Sequence, residues 1–378
     1  MQVPLFGMKH QTGDIASSMP VLPAFPSPAD KMRLILELLE EETDKKIITD
    51  SPFILDPVST GFLRNADLSL IVDRGPFLAR FARVVLDRAM RGVDDPDNAV
   101  DRTKWANPLM GTFAPSGTGK TYTIGLLMEL TRRLFSGGPD GAVARAYIKR
   151  ELGDKWGDRL ADYLQDYVVI PITFGQPQPL EDSETDPKFM VFGRILHVLV
   201  SGLHGRSVSL SQCVSVIRQV FPTGSFGWKT VLGVLDRVVL QGRSGRRAKY
   251  IFAIDDLMAI KDDDLRRSVI DATMQMMDWC QSSLVYATST SPEAFLDWAN
   301  NCRRVVRTLP LSRCPSLVLR NEMLLARIKA NRDVLPILFD LCAMPGTLIE
   351  SETTAVYDSN SDCSFGDMIK CREDRVDR

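Results

Sequence analysis

Five short apolar runs alternate with segments of helical periodicity between residues 108 and 311, and no other feature limits the fold of this chain as strongly. The runs are PLMGTFA, DYVVIPITF, KYIFAID, SLVYATS and RVVRTLPL, which begin at residues 108, 166, 249, 283 and 304. Helical patterns separate them, starting at Lys120, around residues 189–200, from about Asp264 to Cys280 and from Glu293 to Asn300. Strands that are apolar throughout and joined by helices are typical of parallel sheets covered on both faces. The sequence therefore predicts a three-layer α/β chain with a mostly parallel, five-stranded core sheet.

Segments of different composition flank this core region, which spans residues 97–314. Residues 1–26 are rich in Pro, Ser and Gly, and such a stretch buries too little apolar surface to offset its ordering entropy, so a flexible arm is expected there. Residues 315–350 predict a small helical lid. Residues 351–378 are polar and charged, which is typical of a disordered tail.

Residues 27–96 are expected to form an N-terminal extension. Ser27, Pro28 and Asp30 supply an N-cap, a first-turn proline and an acidic residue, which together predict a helix start. This helix is expected to pack on the core through Met32, Ile35, Leu36 and Leu39. The later run DLSLIVDRG, residues 67–75, predicts a strand, and PFLARFARVVLDRAM after it predicts a helix.

Composition excludes several classes of protein. The 46 basic and 48 acidic residues give a net charge of −2, so nothing attracts the whole chain to nucleic acid or to an anionic membrane. Seven cysteines without a C-x-x-C pair, and only three histidines, argue against a zinc site and for reduced thiols. No basic leader followed by an apolar stretch begins the sequence, and no apolar run is long enough to span a bilayer. An intracellular protein without a membrane partner is expected.

The segment APSGTGKT, from Ala114 to Thr121, lies between the first apolar run and the first helical pattern. It matches the looser Walker A form of a P-loop, in which Ala replaces the first Gly. Backbone N–H groups of such a turn, and the positive end of the following helix, bind phosphate. Lys120 is expected to reach the β and γ phosphates of ATP, and the Thr121 hydroxyl to ligate Mg²⁺. The predicted nucleotide-binding residues are Ala114, Pro115, Ser116, Gly117, Thr118, Gly119, Lys120, Thr121 and Tyr122. The alternative is a glycine-rich turn that only caps a helix.

A second motif, KYIFAIDD, is an apolar strand that ends in two carboxylates, as Walker B strands do. Asp255 is expected to hold Mg²⁺ through its water shell, and Asp256 to act as general base or to orient the attacking water. Alone, the same pattern also describes a strand that leaves the core into a solvated loop. One predicted strand separates the two motifs, which indicates the ASCE class of P-loop ATPases, whose sheet has a strand between the P-loop and Walker B strands. That class normally has Glu at the position of Asp256, so slow turnover is expected.

Several further polar residues have a functional and a structural interpretation. Thr288 or Ser289, at the end of the fourth run, is a candidate sensor of the γ-phosphate, although hydroxyls after a strand also cap helices. One of four arginines is a candidate arginine finger for a neighbouring subunit: Arg303, Arg304, Arg307 and Arg313. The alternative interpretation is that they form a solvated or salt-bridged face. His197 and His204 are interpreted as structural or solvated. The basic run GRSGRRAK, residues 242–249, is interpreted as a flexible loop in preference to a nucleic-acid contact.

The block STSPEAFLDWANNCRRVVRTLPL, from Ser289 to Leu311, resembles a block found in the Crinkler and retrotransposon hot spot superfamily of P-loop ATPases. LSLIVDRGPFLARF (68–81) is similar to the strand, Arg and aromatic-rich helix upstream of the P-loop in that superfamily, and VVIPITFGQ (168–176) is similar to its second strand. The resemblance extends from about residue 67 to residue 350. In CAMPGTLIE, Gly346 replaces the Arg that this superfamily has after the proline.

This resemblance implies an ATPase that works with protein partners, in the nucleus or the cytoplasm, and it is the only basis for a nucleic-acid partner. The combined expectation is an ATP- and Mg²⁺-binding protein, a slow ATPase that acts as a conformational switch in a larger assembly. The alternative is a degenerate nucleotide-binding scaffold without turnover, which the residues at Ala114, Asp256 and Gly346 favour. A small-molecule phosphotransferase is disfavoured because no arginine-rich lid is evident, and a nuclease because no second acidic and lysine-bearing cluster is evident.

Overall fold

The computed structural model describes residues 27–43, 46–47, 55–58, 60–63, 67–68, 71, 74–90, 108–114, 118–175, 184, 186–204, 208–221, 226–240, 248–279, 284–293, 295–296, 299 and 305–311. The predicted arm (1–26), lid (315–350) and tail (351–378) lie outside the described residues. So do Pro115, Ser116 and Gly117 of the APSGTGKT segment.

Five parallel strands form a single sheet in the described part of the chain. They are β1 (Leu109–Phe113), β2 (Tyr167–Thr173), β3 (Lys249–Asp255), β4 (Leu284–Ser289) and β5 (Val306–Thr308), in the spatial order β2-β3-β4-β1-β5. Every neighbouring pair is parallel. All five predicted strands are therefore confirmed. The prediction that a strand separates the one before APSGTGKT from the one ending at Asp255 is also confirmed, because β4 lies between β1 and β3.

The helices pack in two groups. Gly75–Met90 (α2), Lys120–Ser136 (α3), Gly138–Leu152 (α4) and Asp154–Leu164 (α5) contact one another. The second group consists of Pro28–Thr43 (α1), Pro187–His204 (α6), Leu210–Val220 (α7), Trp228–Val239 (α8) and Asp263–Trp279 (α9). Helices α3 and α6 both pack on the sheet, α3 from the first group and α6 from the second.

The alternation of side chains along the strands shows that the two groups cover opposite faces. Tyr286 of β4 is hydrogen-bonded to Thr123 of α3 at 2.8 Å. Its register partner on β3 is Ala253, so Tyr250, three residues earlier on the same strand, faces the other side. There the Tyr250 hydroxyl donates to Asp236 of α8 at 2.5 Å. The chain is therefore a three-layer α/β structure, as the sequence predicts.

Helix α1 begins where its capping pattern predicts. The Ser27 hydroxyl accepts from the Asp30 backbone N–H at 3.2 Å, and the Asp30 carboxylate accepts from the Ser27 backbone N–H at 3.1 Å. Three of the four residues predicted to face the core are buried and the fourth is partly buried: Ile35, Leu36, Leu39 and Met32. Helix α1 packs on α7 and α8, so the N-terminal extension shares the main core.

The strand predicted for residues 67–75 is wrong at the residues that the structure describes, which are 67, 68, 71, 74 and 75. None of its described residues is in a strand: Leu68 lies in a 3₁₀ turn, and Gly75 already belongs to α2. The Ile71 N–H donates to the Leu68 carbonyl at 3.2 Å, which is a turn bond. Leu68 and Ile71 are both buried, so these two apolar side chains face the core from a turn.

No helix among the described residues is long and apolar enough to cross a membrane.

Candidate functional site

The described end of the APSGTGKT segment turns sharply into α3. Gly119 has φ 84° and ψ 33°, a left-handed conformation that glycine adopts at low cost. Helix α3 begins at the next residue, Lys120. At the other end of the segment, the Ala114 N–H donates to the Ser289 carbonyl of β4 at 3.1 Å. The segment therefore connects the carboxyl end of β1 to a helix N-terminus, a place where backbone N–H groups remain available for an anion.

Asp255 is the centre of the candidate site. Its carboxylate is buried at the end of β3, with 3% of the residue exposed. The Thr121 hydroxyl, on the first turn of α3, donates to Oδ2 at 2.7 Å, and the Thr288 hydroxyl, on β4, donates to Oδ1. Burial raises the pKa of Asp255, and the two hydroxyl hydrogen bonds oppose that rise. Residues 134 and 33 positions away in sequence thus meet on one carboxylate.

Lys120 lies beside this carboxylate. Its Nζ donates to the Ala114 carbonyl at 2.7 Å, across the APSGTGKT segment. Partial burial lowers the pKa of the Lys120 ammonium, while the carboxylates of Asp255 and Asp256 oppose this change. The cation is therefore held at the mouth of the segment, near two carboxylates.

Asp256 is exposed and has φ 51° and ψ 44°, the only left-handed conformation of a non-glycine residue in the described chain. Such a conformation costs free energy in an L-residue, although Asp tolerates it better than most. Its carboxylate lies against Gly175, just beyond β2: a Cβ added to Gly175 would stand 2.2 Å from Oδ2 of Asp256. Because the Phe174 N–H also donates to the Asp255 carbonyl at 3.1 Å, the ends of β2 and β3 are held together here.

The two candidate sensor residues have different surroundings. Thr288 is buried and contacts Asp255. Ser289, the next residue of the strand, faces the other side of the sheet, and its hydroxyl accepts from the Ser291 N–H at 3.2 Å. The structure therefore brings Thr288 to the site and leaves the Ser289 hydroxyl in the turn after the strand.

A buried ion pair supports the same edge of the sheet and was not anticipated from sequence. Arg194 of α6 donates through Nε to Glu184 at 2.9 Å and through Nη2 at 2.5 Å, and both side chains are essentially inaccessible. Arg194 also donates to the Thr173 carbonyl at the end of β2, and its guanidinium lies 4.5 Å from the centroid of the Phe174 ring. The one sequence signal was an arginine inside the apolar pattern FMVFGRILHVLV.

The remaining candidates lie away from this cluster or outside the described residues. Arg307 is exposed on β5, and Arg303, Arg304 and Arg313 are not described. His197 donates through Nε2 to the Val208 carbonyl at 3.0 Å, and burial lowers the pKa of its imidazole. The ring of Phe295, from the block of family resemblance, lies 5.2 Å from that of Phe113.

Tyr122 and Thr118, two further predicted nucleotide-binding residues, flank Lys120 and Thr121. Tyr122 is partly buried, and its ring lies 5.8 Å from the guanidinium carbon of Arg74. Thr118 immediately precedes the left-handed Gly119.

Within the described residues, no group of three or more His, Cys, Asp or Glu side chains is arranged to hold a metal ion. A magnesium site in a nucleotide-binding protein commonly uses one or two protein oxygens together with the substrate phosphates, and Thr121 and Asp255 supply such a pair. Comparison with protein-family models, with curated proteins and with solved structures finds no match for this chain.

Proposed function

We propose that this chain is an ASCE-type P-loop protein that binds Mg-ATP and hydrolyses it slowly. The observation that carries the proposal is the hydrogen bond between Thr121 and Asp255, 2.7 Å long. This hydrogen bond joins the first turn of α3 to the end of β3, which lies two strands away from β1 in the sheet. The structural alternatives for the two motifs are a glycine-rich turn that only caps a helix and a strand that ends in a solvated loop. Neither alternative requires a contact between Thr121 and Asp255.

The described residues around the segment fit a triphosphate. The N-terminus of α3 offers backbone N–H groups and a partial positive charge, and Gly119 directly before it has no side chain that would block a phosphate. Lys120 adds a full positive charge, and its Nζ donates to the Ala114 carbonyl near the carboxylates of Asp255 and Asp256. In this proposal the Lys120 ammonium moves from the Ala114 carbonyl to the phosphate oxygens, which are stronger acceptors because they are charged.

The metal would be held by Thr121 directly and by Asp255 through water. A bound Mg²⁺ supplies positive charge that neutralises the phosphates. Asp255 is well suited to such a partner, because a buried carboxylate with a raised pKa gains from a nearby cation. Thr288 would then hold the other carboxylate oxygen in place and sit within reach of the metal-bound phosphate.

Hydrolysis is assigned to Asp256, which is exposed at the same edge of the sheet. Its carboxylate would accept a proton from, or orient, the attacking water. It is one methylene shorter than the usual Glu, and a misplacement of about 1 Å costs on the order of a hundredfold in rate. Slow turnover suits a conformational switch, and the resemblance to Crinkler and retrotransposon hot spot proteins supports protein partners in a nuclear or cytoplasmic assembly.

The second candidate is a nucleotide-holding scaffold without turnover. Two observations favour it: Asp256 has an unusual left-handed backbone, and its carboxylate lies against Gly175 at the end of β2. A carboxylate held in that place leaves phosphate binding intact while depriving the water of a partner.

Binding is tested by calorimetric titration of the purified full chain with Mg-ATP. Lys120→Ala should weaken ATP binding on the order of 100-fold or more, because it removes the side-chain cation directed at the phosphates. Lys155→Ala, an exposed lysine on α5, is the matched control and should bind ATP as the parent chain does. An unchanged ATP affinity in folded Lys120→Ala would refute the P-loop assignment.

Turnover is tested by phosphate release at saturating Mg-ATP. Asp256→Asn should eliminate release and leave ATP affinity unchanged, because the phosphate-binding residues are untouched. Asp256→Glu, which restores the usual side-chain length, should raise the rate. If the parent chain releases no more phosphate than Lys120→Ala, the scaffold is the correct alternative.

A further inference from the structure

Arg74, immediately before α2, is a buried cation whose guanidinium has no hydrogen-bond partner among the described residues. The residue is 1% exposed, and none of its three guanidinium nitrogens has a hydrogen-bond partner within the described chain. Burying an unpaired charge costs several kcal/mol. The aromatic ring of Tyr122, 5.8 Å from the guanidinium carbon, offsets only a part of that cost, since a cation–π contact is weaker than the hydration that the guanidinium loses.

A second unsatisfied polar group lies close to Arg74. The hydroxyl of Tyr147, on α4, is buried and has no hydrogen-bond partner among the described residues. Arg74 and Arg150 both interact electrostatically with Tyr147, and the guanidinium of Arg150 lies 4.7 Å from its ring centroid. Glu151, beside Gly75, forms its ion pair with Arg150 at 3.0 Å. Among the described residues, this cluster thus holds N–H and O–H donors without acceptors and two guanidinium groups against the one carboxylate of Glu151. An anionic acceptor would match both features.

The contact between Arg74 and Tyr122 connects this cluster to the candidate site. Tyr122 follows Thr121, whose hydroxyl contacts Asp255, and the guanidinium carbon of Arg74 lies 5.8 Å from the centroid of the Tyr122 ring. Under the proposed function, Lys120, Thr121 and Asp255 serve the β and γ phosphates and the metal. The next negative charge along the nucleotide is the α-phosphate.

We propose that Arg74 binds the α-phosphate of the nucleotide, with the Tyr147 hydroxyl as a second donor. The inference rests on the proposed function and deepens it by assigning the nucleoside side of the site to α2 and α4. The ring of Tyr122, which is partly exposed, moves aside to admit the phosphate. Arg74 is then a ligand-binding residue whose charge is uncompensated until nucleotide arrives.

The test compares Arg74→Met with the parent chain, because Met fills much of the space of Arg without its charge. Arg80→Met is the matched control, since Arg80 lies exposed on α2, the helix that begins directly after Arg74. Affinities for Mg-ATP and for inorganic tripolyphosphate are measured by calorimetry, and the melting temperature is measured without ligand. Arg74→Met should bind both ligands about 10- to 100-fold more weakly, the loss of a charged hydrogen bond. Its melting temperature should rise by roughly 3 °C, because an unpaired buried charge is gone. Arg80→Met should change neither.

Each contrary result has a distinct meaning. Loss of ATP affinity with unchanged tripolyphosphate affinity would place Arg74 on the base or ribose and overturn the α-phosphate assignment. A lower melting temperature, or failure of Arg74→Met to fold, would show that the charge is already paired in the free protein and overturn the proposal. Arg74→Lys, which keeps a cation, should retain more affinity than Arg74→Met; equal losses would contradict a role for charge. If Lys120→Ala leaves ATP binding unchanged, the proposed function itself fails, whereas a loss in Lys120→Ala alone refutes only the role of Arg74.

Discussion

Gly175→Ala is expected to slow ATP turnover without weakening ATP binding. A Cβ at residue 175 would stand 2.2 Å from Oδ2, 2.9 Å from Cγ and 3.0 Å from Cβ of Asp256. Ordinary carbon–oxygen contacts are roughly 3.3 Å or longer, so the Asp256 carboxylate must move by about 1 Å. Gly175 is not among the described glycines with a left-handed backbone, and alanine there therefore adds a contact without adding backbone strain.

The size of the effect follows from that displacement. If Asp256 orients the attacking water, a shift of about 1 Å should lower the rate on the order of a hundredfold. Lys120 and Thr121, the residues proposed to bind phosphate and metal, lie on α3 and keep their contacts. The ATP dissociation constant should therefore stay within about twofold of the parent value.

The assay is phosphate release at saturating Mg-ATP, together with calorimetric ATP affinity for each protein. Gly227→Ala is the matched control: residue 227 has no atom within 4 Å of an added Cβ and an extended backbone, φ −92°. A Gly175→Ala protein that turns over as fast as the parent chain would refute the catalytic role of Asp256, because its carboxylate cannot stay in place. A loss of ATP affinity equal to the loss of rate would show general damage to the site.

Two further predictions concern the buried charges. Arg194→Met removes the cation from the Glu184 carboxylate, whose side chain is 1% exposed, and should lower the free energy of unfolding by about 3–5 kcal/mol. In urea denaturation, the double variant Arg194→Met/Glu184→Leu should recover most of this loss. A double variant as unstable as Arg194→Met would contradict the stabilising role of the ion pair. Burial raises the pKa of Asp255 above its ordinary value of 3.8, so the folded protein binds the carboxyl proton of Asp255 more tightly than the unfolded chain does. The stability that this protonated carboxyl contributes is therefore present below pH 3.8 and is lost as the pH rises through the raised pKa. Asp255→Asn should therefore have a higher melting temperature than the parent chain at pH 8 and bind Mg-ATP more weakly, and an equal or lower melting temperature would contradict the reasoning.

The sequence alone was sufficient to predict the strands of the sheet. Buried parallel strands are apolar on both faces, so each appears as a continuous apolar run, and all five runs became strands of one parallel sheet. The exception is residues 67–75, where a short alternation of apolar residues suggested a strand and the chain instead makes a turn at Leu68 to Ile71. Over so few residues the two spacings are hard to distinguish, and the local hydrogen bond decides. Four helices, α4, α5, α7 and α8, were not anticipated.

Local spacing also identified the centre of the candidate site. Lys120 and Thr121 follow a glycine-rich turn, and Asp255 ends an apolar strand, so each was recognisable from a few neighbouring residues. The choice between Thr288 and Ser289 needed the tertiary structure, because successive residues of a strand face opposite sides and only the position of Asp255 shows which side matters.

Gly175, the Arg194–Glu184 pair and Arg74 were identified only in the folded structure. Gly175 meets Asp256 because β2 pairs with β3, although 81 residues separate them in sequence. Arg74 belongs to a segment of family resemblance, but its guanidinium is buried without a hydrogen-bond partner among the described residues, and such burial is a property of packing that no sequence motif encodes. The sequence by itself determined which strands form and which short motifs end them, since both depend on neighbouring residues. The tertiary structure decided which distant side chains surround those motifs, since that depends on sheet order and on helix packing.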